Sequence, residues 1–210
     1  EQVREVIDRL VRKLKDIVSR RYASSSRGVL DVKKTLRRAD RYLGVPMEIM
    51  FRKKPPKKGK VVTLCDISSS VWSAARFMLN ILYSLQECFT KVHSFVFVSG
   101  LAEVTAIFEN EEINRAIEKV LKEVDIDYLA QTDYGETFRQ FRDRYMDVLN
   151  KKTTLIIIGD ARSNYFHPED RILEEMREKC RRLIWLNPEP EGSWNTGDSE
   201  MFAYKPYCHE

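Results

Sequence analysis

The stretch "VVTLCDISSS", residues 61–70, decides how this chain is read. Its first half, Val61 to Cys65, is an apolar run of strand length that follows the proline- and lysine-rich "KKPPKKGK" at 53–60. A short apolar run bounded by turn residues predicts a buried strand. Its second half has the opposite character: one carboxylate, Asp66, followed by the hydroxyls of Ser68, Ser69 and Ser70. Such groups make poor core, because a buried polar side chain needs a partner. They suit an oxygen-lined site at the edge of a sheet.

The rhythm continues downstream. "VHSFVFVS" (92–99) and "AEVTAIF" (102–108) read as strands joined by a tight turn at Gly100, "TTLIIIGD" (153–160) as a strand apolar on both faces, and "RLIWLN" (182–187) as another. Helices are expected over 71–89, 111–123, 135–149 and 168–181. The last has Pro168 at its first position, with Glu169 and Asp170 in the first turn. Strands alternating with helices give an α/β fold: a doubly wound, mainly parallel sheet with helices on both faces. The pair 92–108 is expected to be an antiparallel exception at one edge.

Upstream, Val3, Val6, Ile7, Leu10, Val11, Leu14, Ile17 and Val18 recur in steps of three and four, which predicts an amphipathic helix. A second helix is expected from Asp31 to Tyr42, ending at Gly44, then a short strand at 47–51 and a proline-stiffened link. The expected division is therefore a basic helical N-terminal segment and linker, residues 1–60, and an α/β domain with a C-terminal extension, residues 61–210. Charge divides at the same place. Residues 1–60 hold 19 Lys and Arg against 7 Asp and Glu, a net +12; the remainder holds 17 against 25, a net −8.

The four cysteines, Cys65, Cys88, Cys180 and Cys208, form no CxxC pair, which fits a reduced, cytoplasmic protein better than a disulfide scaffold. No apolar run is long enough to span a membrane, and the first residues lack a signal-peptide pattern. The chain begins without Met, as a fragment would.

In a doubly wound sheet the functional crevice lies at the carboxyl ends of the strands. Three polar features fall at such ends or in the connecting loops: Asp66-Ile67-Ser68-Ser69-Ser70, Thr132-Asp133, and Asp160. Two carboxylates with three hydroxyls fit a hard divalent cation such as Mg²⁺, which takes oxygen ligands and keeps several waters. Ser68 and Ser70 are the expected direct ligands, with Asp66 and Asp160 acting mostly through water. Hydroxyl ligands leave the ion electrophilic, so an open position attracts a partner's carboxylate. Each residue also has a plainer use. Ser70 or Thr132 can cap a helix, Asp133 can cap or remain solvated, and Asp160 can close a turn. Arg162 and Asn164, on the same rim, and Trp194, in "GSWNTGDSE", are candidate partner contacts.

The set Asp66, Ser68, Ser70, Thr132 and Asp160, in this order, resembles the metal-ion-dependent adhesion site (MIDAS) of a von Willebrand factor A domain. The resemblance covers roughly residues 61–187. "LDVKKTLRRADRYLGVPMEIMFRKK", "GDARSNYFHPED" and "LIWLNPEPEGSWNTGDSEMFAY" further resemble the CoxE-like branch. Ser69 stands where that family usually has Gly, and Gln131 where a Gly-Gly pair is common. The resemblance implies a bacterial cytoplasmic chaperone or adaptor that binds Mg²⁺, Mn²⁺ or Ca²⁺. It also implies a MoxR-type AAA+ ATPase and a client protein as partners, as in the maturation of a carbon monoxide dehydrogenase.

Two other classes are weaker. A phosphatase using Asp66 as nucleophile needs a second carboxylate two residues on, and that position is Ser68. No P-loop is present, and no serine has a patterned His partner, so the chain is not expected to be an enzyme. Nucleic-acid binding through residues 1–60 has the charge but few aromatics for stacking. The basic segment can equally dock on an acidic protein surface.

Overall fold

A computed structural model of the chain describes residues 9, 12–14, 29–30, 51–52, 60–68, 79–86, 89 and 91–209. The helix expected over 31–42, the link at 53–59, and Ser69, Ser70 and Cys88 lie outside these residues.

Two short strands, β1 (Val29–Leu30) and β2 (Phe51–Arg52), pair antiparallel. The main sheet holds β3 (Lys60–Asp66), β4 (Lys91–Phe97), β5 (Leu101–Glu103), β6 (Thr153–Ile158) and β7 (Arg182–Leu186). Their spatial order is β5-β4-β3-β6-β7, with β5 the single antiparallel member. The chain returns to the opposite side of β3 when it enters β6, so the strand order reverses between these two neighbours. That reversal opens a crevice at their carboxyl ends.

Period-two alternation distributes the core. Val61, Cys65, Val92, Val96, Ile156, Ile158 and Ile184 belong to one apolar cluster; Val62, Leu64, Phe95, Phe97, Leu155, Ile157, Leu183 and Trp185 belong to the other. Helical residues 79–86 (α1), α2 (Thr105–Asn110) and α3 (Ile113–Glu123) contribute to the first, and Leu14, from helical residues 12–14, is buried there too. The second face is covered by α4 (Tyr134–Tyr145), α5 (Asp170–Lys179) and α6 (Met201–Tyr204). Asp66 continues the Val62–Leu64 series, so the pleat directs it to the α4 side. Beyond α6, His209 N–H donates to Leu183 O at 2.8 Å, and Leu183 N–H donates to His209 Nδ1 at 3.1 Å, on the outer edge of β7.

Three expectations are corrected. The strand expected over 102–108 ends at Glu103 and becomes α2. Val104, Ile107 and Phe108 have the three- and four-residue spacing of a helix face, and burying Phe108 against Tyr83 (ring centroids 6.3 Å apart) outweighs the local β-branched character. Helix α5 begins at Asp170, not Pro168, because Glu169 is left-handed with φ 52°. The helix expected over 135–149 is α-helical only to Tyr145 and finishes as a 3₁₀ turn, Met146–Val148.

Gly135 sits where α4 passes under the β6–α5 loop. A Cβ there would lie 2.1 Å from His167 O, a backbone atom that cannot step aside cheaply. Alanine normally favours a helix over glycine by up to about 1 kcal/mol. Gly135→Ala should nevertheless destabilise the domain by about 1–3 kcal/mol in urea unfolding, the usual cost of overpacking. Gly100→Ala, with nothing within 4 Å of the new methyl, should stay within ~0.5 kcal/mol of the parent.

Candidate metal centre

Asp66 terminates β3 and is completely buried. Its oxygens have separate donors: Ser68 N–H reaches Oδ1 at 2.8 Å, and the Tyr134 hydroxyl reaches Oδ2 at 2.8 Å. The Ser68 hydroxyl also donates to this carboxylate. Asp160 follows β6 and is 5% exposed; Arg162 N–H closes a turn onto its Oδ1 at 2.9 Å, and Asn187 Nδ2 holds its carbonyl at 3.2 Å. Strand pairing puts Cys65 beside Ile158, so Asp66 is level with Gly159 and Asp160 leaves the adjacent strand one residue further on.

Thr132 is 6% exposed, and Asn164 Nδ2 donates to its carbonyl at 3.0 Å, which fixes the residue without engaging its hydroxyl. Asp133 N–H donates to Val98 O at 3.1 Å, tying this loop to the end of β4. The Asp133 side chain accepts from Glu136 N–H at 2.8 Å and caps α4, the plainer of its expected uses. Ser68 is therefore bonded to Asp66, Asp160 is close enough to repel it, and Thr132 is tied through Asn164 to the loop that follows Asp160, while Ser70 is outside the described residues.

The weak partner candidates are tied internally. Arg162 makes a two-pronged ion pair with Glu189 through Nε and Nη2, both at 2.9 Å. Its Nη1 reaches Asp198 Oδ1 at 3.0 Å and Thr196 O at 3.1 Å, and these carboxylates raise its already high pKa. Asn164 N–H donates to Asp198 Oδ2 at 3.1 Å. Trp194 Nε1 donates to Glu189 O at 2.9 Å, and Lys205 Nζ stands 5.3 Å from its ring centroid. Ala161, Asn164, Tyr165 and Glu169 all have positive φ, so the β6–α5 loop holds a strained path beside the crevice.

Burial and repulsion set the electrostatics of the two carboxylates. Loss of hydration pushes the Asp66 carboxyl up to about 6, and Asp160 adds repulsion, which the bonds from Ser68 and Tyr134 only partly offset. Burial likewise raises Asp160, against the opposing bond from Arg162 N–H. Two buried, mutually repelling carboxylates with hydroxyls beside them are a donor set that a divalent cation fits. Among the described residues, no group of three or more His, Cys, Asp or Glu side chains is placed to hold a metal. A cation here would thus depend on the hydroxyls as well.

Sequence reasoning missed Tyr134, Gly159 and Ser163. Tyr134 reads as an apolar residue in the first turn of a helix, and nothing in the sequence shows that its hydroxyl meets Asp66. Ser163 is fully buried and accepts from Tyr134 N–H at 3.2 Å, a pairing across 29 residues that no local motif signals.

The five-stranded sheet, the two helical layers and the crevice at the ends of β3 and β6 define a von Willebrand factor A fold. A family model described as "VWA domain containing CoxE-like protein" matches residues 2–210, and the chain belongs to that family. Among solved structures it is similar to the manganese-loaded TRAP protein of Plasmodium vivax, with 12% identity, a TM-score of 0.47, and coverage of 73% of this chain and 65% of that one. Proximal thread matrix protein 1 from the mussel byssus, with a zinc-occupied MIDAS motif, matches at 16% identity and TM-score 0.45, covering 61% and 37%. A von Willebrand factor type A protein from Catenulispora acidiphila matches at 15% identity and TM-score 0.42, covering 72% and 41%. The chain thus spans from about a third to two thirds of the length of these structures. No curated protein matches.

The folded state keeps the Asp66 proton to higher pH than the unfolded chain, whose value is near 3.8. Its contribution to stability is fully present below that value and is lost as pH rises through about 6. In EDTA, stability should therefore fall across this window by up to ~3 kcal/mol from this group. Asp66→Asn should flatten that part of a pH series of urea midpoints. Parallel profiles for parent and variant would show that Asp66 does not carry the effect.

Proposed function

We propose that this chain is a metal-dependent protein-binding adaptor that works with a MoxR-type AAA+ ATPase on a client protein. Its proposed setting is the cytoplasmic maturation of a metalloenzyme such as a carbon monoxide dehydrogenase. Family membership supports the adaptor class, and the observation that carries metal dependence is the buried Asp66–Asp160 pair, with Ser68 bonded to Asp66. In this reading Ser68, Ser70 and Thr132 hold a divalent ion, Mg²⁺ first and Mn²⁺ or Ca²⁺ as alternatives, through hydroxyls. Asp66 and Asp160 neutralise it. The ion supplies an electrophilic position for an acidic side chain of the partner. The protein binds and orients; it does not catalyse.

The surroundings support a docking role. Tyr165 is 78% exposed in the β6–α5 loop, and Leu129 is 94% exposed in the loop leading to Thr132. The Asn164–Thr132 bond links the two loops. Exposed apolar side chains beside a charged crevice are typical of contact surfaces. Among the described residues no helix is long and apolar enough to cross a membrane. The basic segment 1–60, which reaches the core of the sheet through Leu14, adds in this reading a salt-sensitive attraction, screened over about 10 Å at 0.1 M salt.

The test is to titrate the candidate ATPase against the parent and the double variant Ser68→Ala, Ser70→Ala, with Mg²⁺ or with EDTA. Tenfold or greater weakening by EDTA and by the double variant, with folding retained, is expected. Equal affinity under all four conditions would defeat the metal-bridged reading. In the same assay Tyr165→Ala should weaken binding without moving the unfolding midpoint, because its side chain is mostly in solvent.

A further inference from the structure

Tyr134 is the largest fully buried side chain whose polar atom faces the crevice. Its ring is explained by packing: it stacks on Trp185 at 5.7 Å between centroids and meets Phe97 edge-on at 5.0 Å. Phenylalanine would fill that space. The hydroxyl requires a separate explanation, since burying it is costly unless both its donor and its acceptor capacity are used. Both are used at the crevice. It donates to Asp66 Oδ2 at 2.8 Å and accepts from Ala161 N–H at 3.2 Å.

Gly159 makes room for it. A Cβ at that position would lie 2.1 Å from the Tyr134 hydroxyl oxygen and 2.9 Å from Asp66 Cβ. The only glycine with positive φ among the described residues is Gly197, so Gly159 is not there for an unusual backbone angle. Its missing side chain is what admits the hydroxyl between the ends of β3 and β6. The residue after Asp160, Ala161, is in turn held left-handed at φ 64°, the conformation in which its N–H meets that hydroxyl.

We propose that Tyr134 is the positioning residue of the cation site. Its hydroxyl fixes the orientation of the Asp66 carboxylate and couples it to the backbone that carries Asp160, so that both carboxylates are aimed before an ion arrives. This rests on the metal-binding reading above and adds to it a residue outside the oxygen ligand set. Groups that orient a ligand typically change metal affinity by about 10- to 100-fold when removed.

The test uses the whole chain and Mn²⁺ alone as probe, with free Mn²⁺ followed by electron paramagnetic resonance. Tyr134→Phe should weaken Mn²⁺ binding by about 10- to 100-fold. Tyr207→Phe serves as control, because it removes another tyrosine–aspartate bond, Tyr207 hydroxyl to Asp170 Oδ2 at 3.1 Å, away from the crevice. It should leave the affinity unchanged. Should Tyr134→Phe fail to fold, site-specific 3-fluorotyrosine at position 134 keeps the ring and the hydroxyl. Its fluorine resonance should shift on addition of Mg²⁺, which a purely packing role would not produce. Parent-like Mn²⁺ affinity in a folded Tyr134→Phe, or a fluorine resonance indifferent to Mg²⁺, would overturn the proposal and leave the metal reading standing. A parent chain that binds no Mn²⁺ would overturn both.

Discussion

Removing two carboxylates from water at the ends of neighbouring strands is the constraint around which this molecule is organised. Asp66 and Asp160 repel each other, and both are denied hydration. The fold tolerates this only because donors have been gathered from distant parts of the chain: the turn after β3, the first turn of α4 and the turn after β6. Each bond lowers the cost of ionisation, yet none cancels it. A site arranged in this way has residual negative charge that a small hard cation can satisfy, which is why the chemistry of the crevice points to an ion and not to a buried salt bridge.

The C-terminal segment contributes to this arrangement. Glu189 and Asp198 hold Arg162, Asn187 holds the Asp160 carbonyl, and Tyr204 stacks on Trp185 at 5.1 Å between centroids. The residues after β7 are therefore part of the support of the crevice. Arg162 is two residues from Asp160 in sequence, but its guanidinium is engaged by two carboxylates and a carbonyl of the same chain. Its main work is to keep the strained β6–α5 loop in one path.

Much of the architecture could be read from periodicity, because "VVTLCD" and "TTLIIIGD" are apolar on both faces and so demand cover on both sides. The rule about strand ends led to Asp66 and Asp160, which do lie close enough to repel each other, and it named Thr132 as a third candidate. What escaped were features set by tertiary contact. The strand expected over 102–108 became a helix because Phe108 finds Tyr83, a residue in another element. The importance of Tyr134 was invisible because its partner lies 68 positions away. Gly159 looked like an ordinary glycine at a strand end, and only the position of the Tyr134 hydroxyl shows why a methyl cannot be there.

The outer strands show how the sheet is kept finite. β5 is only 3 residues long, too short to template much pairing. β7 is longer, but both outward polar groups of Leu183 are taken by residue 209. Short edges and covered edges are two ways of discouraging strand addition between copies of a protein. The small contact between His209 and Leu183 thus bears on solubility: loosening it would lengthen the run of β7 open to a neighbouring chain, and the consequence would appear as aggregation at high concentration, with the crevice itself untouched.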